Sequence, residues 1–555
     1  MPDRRTSMTA MIAAPAAPDI RKRRPCRPAA LLASIAGLWL AGCAVTPEPI
    51  PDAEHIARAR TEYAQLFSGQ TAPQKPLTLA EAIARGLKYN YDQRLSLMEE
   101  ALQDRQLTLA NFNMLPRLAA NAGYTLRDRE RASSSIQFET RRLSLEPSVS
   151  EDQGKYTADA TFSWSLLDFG LSYFQAQQQA DRALIAVERR RRVMNNMVKE
   201  IRAAYARAAS AQRLMPEIDR ILAEVGVALE NSAQIEREQL SPPIEALEYR
   251  RSLLQVVSQL RRLRSEMSVA RSQLAALISL PPGEAFTLAD DDTKGPGSLA
   301  TTEADIRALE MYGLSYRPEL REEAYQERID RINVRKEILR LFPAPTLQAS
   351  TNYDSNSFLV ENFWNEIGLR MTWNLIGLVQ GPKAIDVAET QVEVSKARRL
   401  ALSVAVMTQI NIGYQQLRQS LTTLETATEL AEIEGRIHAM TQDQASLNAA
   451  AELERIRRGT QSIAAQLEED RARNEVQSAI SNLLVSLGLD PVPASVATTD
   501  LDQLTGIVQT SLDRMRAGTL TELIALPEAP QAAEPQPAPE AAPPAAAPAP
   551  AVPVS

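Results

Sequence analysis

The chain has 555 residues, of which 69 are acidic, 61 basic and only 5% aromatic, for a formal net charge of -8. That balance excludes a general nucleic-acid binder, which needs a basic face to release counterions. Two cysteines (Cys26, Cys43) and two histidines (His55, His438) exclude a Cys/His zinc site and a disulfide scaffold.

The first element is an address rather than a fold. Arg21-Lys22-Arg23-Arg24 and Arg27 precede an apolar run from Ala29 to Leu40, the pattern of a secretory signal too short for a comfortable membrane span. Leu40-Ala41-Gly42-Cys43 resembles a bacterial lipobox, which implies removal of residues 1–42 and acylation of Cys43. Ala44, rather than Asp, implies sorting to the outer membrane. Cleavage removes seven Lys/Arg and two Asp, taking the net charge from -8 to -13. A lipidated segment, 43–76, then leads into the body.

The body is written twice. Gly86-Leu87-Lys88-Tyr89 recurs as Gly313-Leu314-Ser315-Tyr316, and Leu115-Pro116 as Phe342-Pro343, both 227 residues on. Trp164, Ile201, Tyr205 and Leu280 recur as Trp373, Ile410, Tyr414 and Leu489, now 209 residues on. The first repeat (77–288) thus carries 18 extra residues between its proline and its tryptophan; the second covers 304–495. Each opens with a helix, Leu79 to Phe112 and Ile306 to Leu341, stopped by Pro116 and Pro343.

The period then switches from 3.6 to 2. Strands are expected near 118–126 and 156–165, and near 346–353 and 366–374, apolar on one face and polar on the other. Tyr124, Tyr156, Trp164, Tyr353, Trp364 and Trp373 at their ends suit an interfacial girdle. Long helical hairpins follow at 172–280 and 383–487, the first turning at Leu240-Ser241-Pro242-Pro243 with Ser241 as N-cap. The second turns near Leu447-Asn448, with Gly459-Thr460 as a rival position. The linker 289–303 separates the repeats, 496–526 reads as a helical segment, and the Pro/Ala-rich 527–555 as a disordered tail.

The fold class is therefore mainly α with a small membrane β part, in two repeats of helix, two strands and long hairpin. Four strands cannot close a membrane barrel, so chains must pool them. Here the sequence resembles the TolC-like outer-membrane factors, over roughly 77–490. The likeness rests on Leu77-Thr78-Leu79-Ala80-Glu81-Ala82-Ile83, Leu115-Pro116 and Phe342-Pro343, Trp164 to Gly170, Tyr205 and Tyr414, and Leu487-Gly488. Tyr91 stands where the family has the proline kept at Pro318, and Ser279 where it has the glycine kept at Gly488.

The resemblance implies a lipid-anchored homotrimer in the outer membrane, with a twelve-stranded barrel continuing into a helical barrel in the periplasm. It also implies a periplasmic adaptor and an inner-membrane transporter as partners, and efflux or type I secretion as the work. Adaptor contact falls to the tip residues Leu240, Ser241, Leu447 and Asn448. Asp443, Glu452 and Glu454 either ring the pore aperture or simply complement the helix dipole. Glu245 and Glu248 read as helix-start acids, Arg189 to Arg192 as a solvated helix face, and His438 as a lone helical residue. No phosphate loop, HExxH or nucleophile–base pattern suggests an enzyme, and no cofactor is expected beyond the lipid on Cys43. The rival is a non-porous structural lipoprotein spanning the periplasm, which has no use for four alternating strands.

Overall fold

A computed structural model describes residues 48–70, 72–134, 136–142, 146–237, 242–281, 283–289, 305–444, 449–490, 492, 500–517 and 520–524. The chain divides into two units, Met1–Ser68 and Gly69–Ser555. In the first, α1 (Asp52–Leu66) has Asp52 and Glu54 in its opening turn, where they complement the helix dipole, and buries no side chain.

The second unit opens with two helices where one was expected. α2 (Leu79–Tyr89) is capped by Thr78, whose hydroxyl accepts from the Glu81 amide. α3 (Tyr91–Phe112) begins afresh after Asn90, which is extended (φ -64°, ψ 130°) and whose side chain accepts from the Asp92 and Gln93 amides. In the second repeat α7 (Ile306–Tyr316) and α8 (Pro318–Leu339) break at Arg317, with nearly the same dihedrals (φ -65°, ψ 128°). Pro318 forces that break by denying its predecessor the helical conformation. Asn90 reaches the same break by capping, so Tyr91 can stand where the second repeat has proline.

The strands are β1 (Arg117–Leu126), β4 (Gly154–Ser165), β5 (Ala344–Asp354) and β6 (Phe363–Thr372), antiparallel in the order β1-β4-β5-β6. Part of the first repeat's extra length forms a small hairpin, β2 (Ala132–Ser133) with β3 (Ser148–Val149). Register makes the sheet two-faced. Leu118, Ala120, Ala122 and Tyr124 stand beside Phe162, Ala160, Ala158 and Tyr156. Leu347, Ala349 and Tyr353 stand beside Leu369, Ile367 and Phe363. Trp364 pairs with Asn352, on the polar face, and so leaves the expected girdle. Trp373 lies just past β6, with Nε1 donating to the Leu341 carbonyl at 3.0 Å.

The long helices α4 (Leu166–Arg237) and α9 (Leu375–Gln444) start at once after the strands, not at Ser172 and Lys383 as expected. At 72 and 70 residues they run roughly 105–110 Å. α4 returns through α5 (Pro243–Ser268) and α6 (Ala270–Leu277), and α9 through α10 (Ala449–Leu487). Gly459 and Thr460 lie inside α10, so the rival turn is not used. α11 (Leu501–Ala517) buries Leu504, Val508 and Leu512 in the first repeat's core, and Leu520 of α12 (Leu520–Leu523) enters the second's.

The repeated residues are repeated contacts. A Cβ on Gly86 would lie 2.3 Å from Ile201 Cδ1, and one on Gly313 would lie 2.5 Å from Ile410 Cδ1. The glycines are sockets for the same isoleucine. Both return helices close alike: Leu280 N donates to Ala275 O, and Leu489 N to Leu484 O. Ser279 and Gly488 occupy the left-handed position there, at φ 57° and 73°.

Candidate functional site

The sheet is the first candidate. Its apolar face is largely uncovered, Leu118 being 78% exposed, Ile367 80% and Leu369 74%, while Trp164 at its end packs on Phe169. Two polar residues on that face satisfy each other, Thr351 donating to Asn365 Oδ1 at 2.8 Å. The opposite face carries Asn121, Asp159, Thr161, Gln348, Ser350, Glu366 and Arg370 by register. Asn121 donates to Asp159 at 2.9 Å there. β1 pairs only with β4 and β6 only with β5, leaving both outer edges open among the described residues. An apolar face on an open-edged sheet suits a barrel completed by other strands, with lipid outside and water inside.

Beyond the strand ends, Glu151 is clasped by Lys155 at 2.9 Å, Arg127 at 2.7 Å and Arg131 at 3.3 Å. The hydrogen bond from Lys155, with help from the two arginines, lowers its pKa to about 2. These ions tie the loop after β1 to the start of β4.

The helical end is the second candidate. Cys43 and the tip residues Leu240, Ser241, Leu447 and Asn448 lie outside the described residues. Asp443 falls in the last turn of α9 and Glu452 in the first turn of α10. Glu454 accepts from Arg458 Nε at 2.8 Å, one turn along its own helix. Glu245 is in the first turn of α5, and Glu248 lies 3.8 Å from Arg251 on the same helix.

Sequence reasoning missed two ionic clusters because each joins helices far apart in the chain. Near the tips, Arg455 of α10 donates to Glu224 of α4 at 2.8 Å, and Arg220 pairs with Glu217 and Glu224. His438 is half-buried beside this cluster, with Nδ1 lacking a partner among the described residues and Nε2 3.1 Å from Gln442. Burial first, then Arg220, push its pKa below the ordinary imidazole value.

The second cluster corrects the reading of Arg189 to Arg192 as a solvated face for Arg190 and Arg191, whose side chains are 16% and 10% exposed, while Arg189 and Arg192 stay 59% and 42% exposed. Arg189 meets Glu322 at 2.6 Å, Arg190 meets Glu100 at 2.5 Å, and Arg191 meets Glu188 and Asp490 at 2.6 and 2.8 Å. Arg192 lies 3.7 Å from Glu322. The four arginines bind α4 to α3 and to the second repeat. The only sequence signal was that acids stood in the facing helices.

Among the described residues no group of three His, Cys, Asp or Glu is placed to hold a metal ion. No described helix is long and apolar enough to cross a membrane, which says nothing of a β-barrel.

No protein-family model and no curated protein matches the chain. Solved structures do. The outer-membrane channel OprN superposes with a TM-score of 0.56 at 15% identity, covering 74% of this chain and 89% of that one. The open-state MtrE outer membrane channel of Neisseria gonorrhoeae gives 0.55 at 16%, covering 74% and 89%. The CmeC outer membrane channel of Campylobacter jejuni gives 0.58 at 11%, covering 80% and 94%. The chain has the fold of these channels, which is the TolC-like fold that the motifs implied.

Proposed function

We propose that the chain is the outer-membrane exit duct of a tripartite efflux pump or type I secretion system. Three copies close a twelve-stranded barrel, and their helices continue it as a tunnel through the periplasm. A lipid on Cys43 anchors the chain. Leu240, Ser241, Leu447 and Asn448 meet a periplasmic adaptor, through which an inner-membrane transporter delivers the substrate. Asp443, Glu452 and Glu454 stand near the aperture, where three copies of each would focus a negative potential.

The observation that carries this reading is the two-faced sheet with both edges open. β1 and β6 are the outer strands of a four-strand antiparallel order, so they run in opposite directions. β6 of one copy therefore meets β1 of the next antiparallel, and the ring closes without a free edge. A non-porous tether would expose the apolar face and both edges for no gain. The likeness to channel structures supports the same reading, and no bond chemistry is proposed. The test is detergent-extracted protein: heat-modifiable trimers and ion conductance in planar bilayers are expected. A monomer that does not conduct would refute it.

A further inference from the structure

Gly459 lies inside α10, where glycine weakens a helix relative to alanine. What stands over it explains its place. A Cβ there would lie 3.1 Å from His438 Cε1 and 3.1 Å from Ile221 Cδ1, with His438 Nδ1 at 3.6 Å. The missing side chain is a notch on α10, filled by an imidazole from α9 and an isoleucine from α4. Helices of both hairpins thus meet at one ring.

That ring is poorly satisfied. Nε2 lies 3.1 Å from Gln442 Nε2, and Nδ1 is buried with no partner among the described residues. Charged groups face it from both neighbouring helices. α4 presents Glu217, Arg220 and Glu224, and α10 presents Arg455. Arg220 pairs with both glutamates and Arg455 with Glu224, so these four charges cancel. On α9 itself, Glu434 stands one turn back on the same face, and its Oε2 also lacks a partner among the described residues.

A proton upsets this arrangement in two ways. It makes both ring nitrogens donors, although Nδ1 has no acceptor in the notch. It also sets a third cation beside Arg220 and Arg455. Glu434 is the carboxylate that α9 can offer instead, and a ring that turns towards it leaves the notch.

On the duct reading, on which this inference rests, we propose that His438 is a proton-operated wedge. Neutral, it ties the second hairpin to α4 through the notch at Gly459; protonated, it frees that hairpin to open the aperture. The sign follows from linkage. Burial first, then Arg220, hold the imidazole below its ordinary pKa while the notch is closed. A state in which the ring reaches water binds the proton more tightly, so acid favours that state by the same factor. The bias grows as pH falls from about 6.5 towards the lower pKa of the closed notch. Glu217 stays ionised over this range, because the hydrogen bond from Arg220 holds its carboxyl below the ordinary value. Three copies around one aperture make the response steeper than a single proton allows.

The test is the full-length protein in planar bilayers at about pH 7.5 and about pH 5.5, a window in which histidine is the side chain that titrates. The wild-type open probability should rise several-fold on acidification, and His438→Gln should show no rise. His55→Gln, at the other histidine, should respond as wild type does. Gly459→Ala, which fills the notch, should give a high open probability at both values. Amide hydrogen exchange of α9 and α10 in detergent, corrected for the intrinsic effect of pH, is the second readout. It should quicken in acid in wild type and not in His438→Gln. If currents appear but wild type ignores acid, or His438→Gln still responds, the wedge is wrong and the duct stands. If nothing conducts while exchange still quickens through His438, the duct falls and the proton-released contact stands. If neither is seen, both fall.

Discussion

Gly488 and Ser279 occupy equivalent helix ends, and exchanging their chemistry should move stability in opposite directions. Gly488 is left-handed at φ 73°, and a Cβ there would lie 2.8 Å from both Arg317 Cα and Tyr316 O. Those are backbone atoms, which cannot swing aside. Gly488→Ala therefore combines about 1–2 kcal/mol for an L-residue in that conformation with about 1–3 kcal/mol of overpacking, or about 2–5 kcal/mol. Ser279, at φ 57°, already bears the first cost without the second. Ser279→Gly removes that strain and adds about 0.5–1 kcal/mol of unfolded-chain entropy, for a net gain of about 0.5–1 kcal/mol. The assay is denaturant unfolding of detergent-solubilised protein followed by far-UV ellipticity, at constant slope. If Gly488→Ala falls within about 0.5 kcal/mol of wild type, the close approach of α10's end to the α7–α8 break is not real.

Three further outcomes follow from the same structure. Leu369→Arg, on the apolar face of β6, should cost assembly about 2–4 kcal/mol, whereas Arg370→Leu beside it should leave trimers intact and change conductance; gel mobility and bilayer recording separate the two. Glu224→Gln removes the link from α4 to Arg455 and should raise the open probability in single-channel records several-fold, with the unfolding free energy changed by about 1 kcal/mol or less because the pair is partly exposed. His438 has a folded pKa below its unfolded value of about 6.5, so the unfolded chain binds the extra proton first. Its contribution is therefore complete above that value and is lost as pH falls towards the folded pKa. Stability should decline over that window in wild type and stay flat in His438→Gln.

Much of this architecture was legible because it was written twice. Gly86 could be matched with Gly313, and Ile201 with Ile410, before anything showed that each glycine touches its repeat's isoleucine. The strands were legible because apolar and polar residues alternate along most of their length. Helix continuity was not. The break at Asn90 depends on an asparagine turning its side chain back to two amides, a conformational choice that a helical pattern does not reveal, whereas Pro318 marks its break in the sequence and the expected helix from Ile306 to Leu341 ran through it all the same. Trp364 was misplaced because it was assigned by nearness to the strand end: three residues before Ile367, it has the opposite parity and stands on the polar face. The ionic clusters were hidden for another reason: Arg455 and Glu224, or Arg191 and Asp490, are partners only because two hairpins lie side by side. The tips and Cys43, where the resemblance places docking and anchoring, are outside what the structure describes.

On the duct reading, the open-edged sheet also sets an order of events in the cell. A lone copy offers lipid a sheet with two unpaired margins, so entering the bilayer before meeting its neighbours would strand backbone donors and acceptors in hydrocarbon. Encounter must come first, or at the latest together with insertion. A fatty chain on Cys43 would confine the copies to the membrane surface beforehand, turning a three-body meeting in a volume into a search across a plane. On that view the anchor matters most to the unassembled chain, and its loss should slow maturation far more than it weakens the finished trimer.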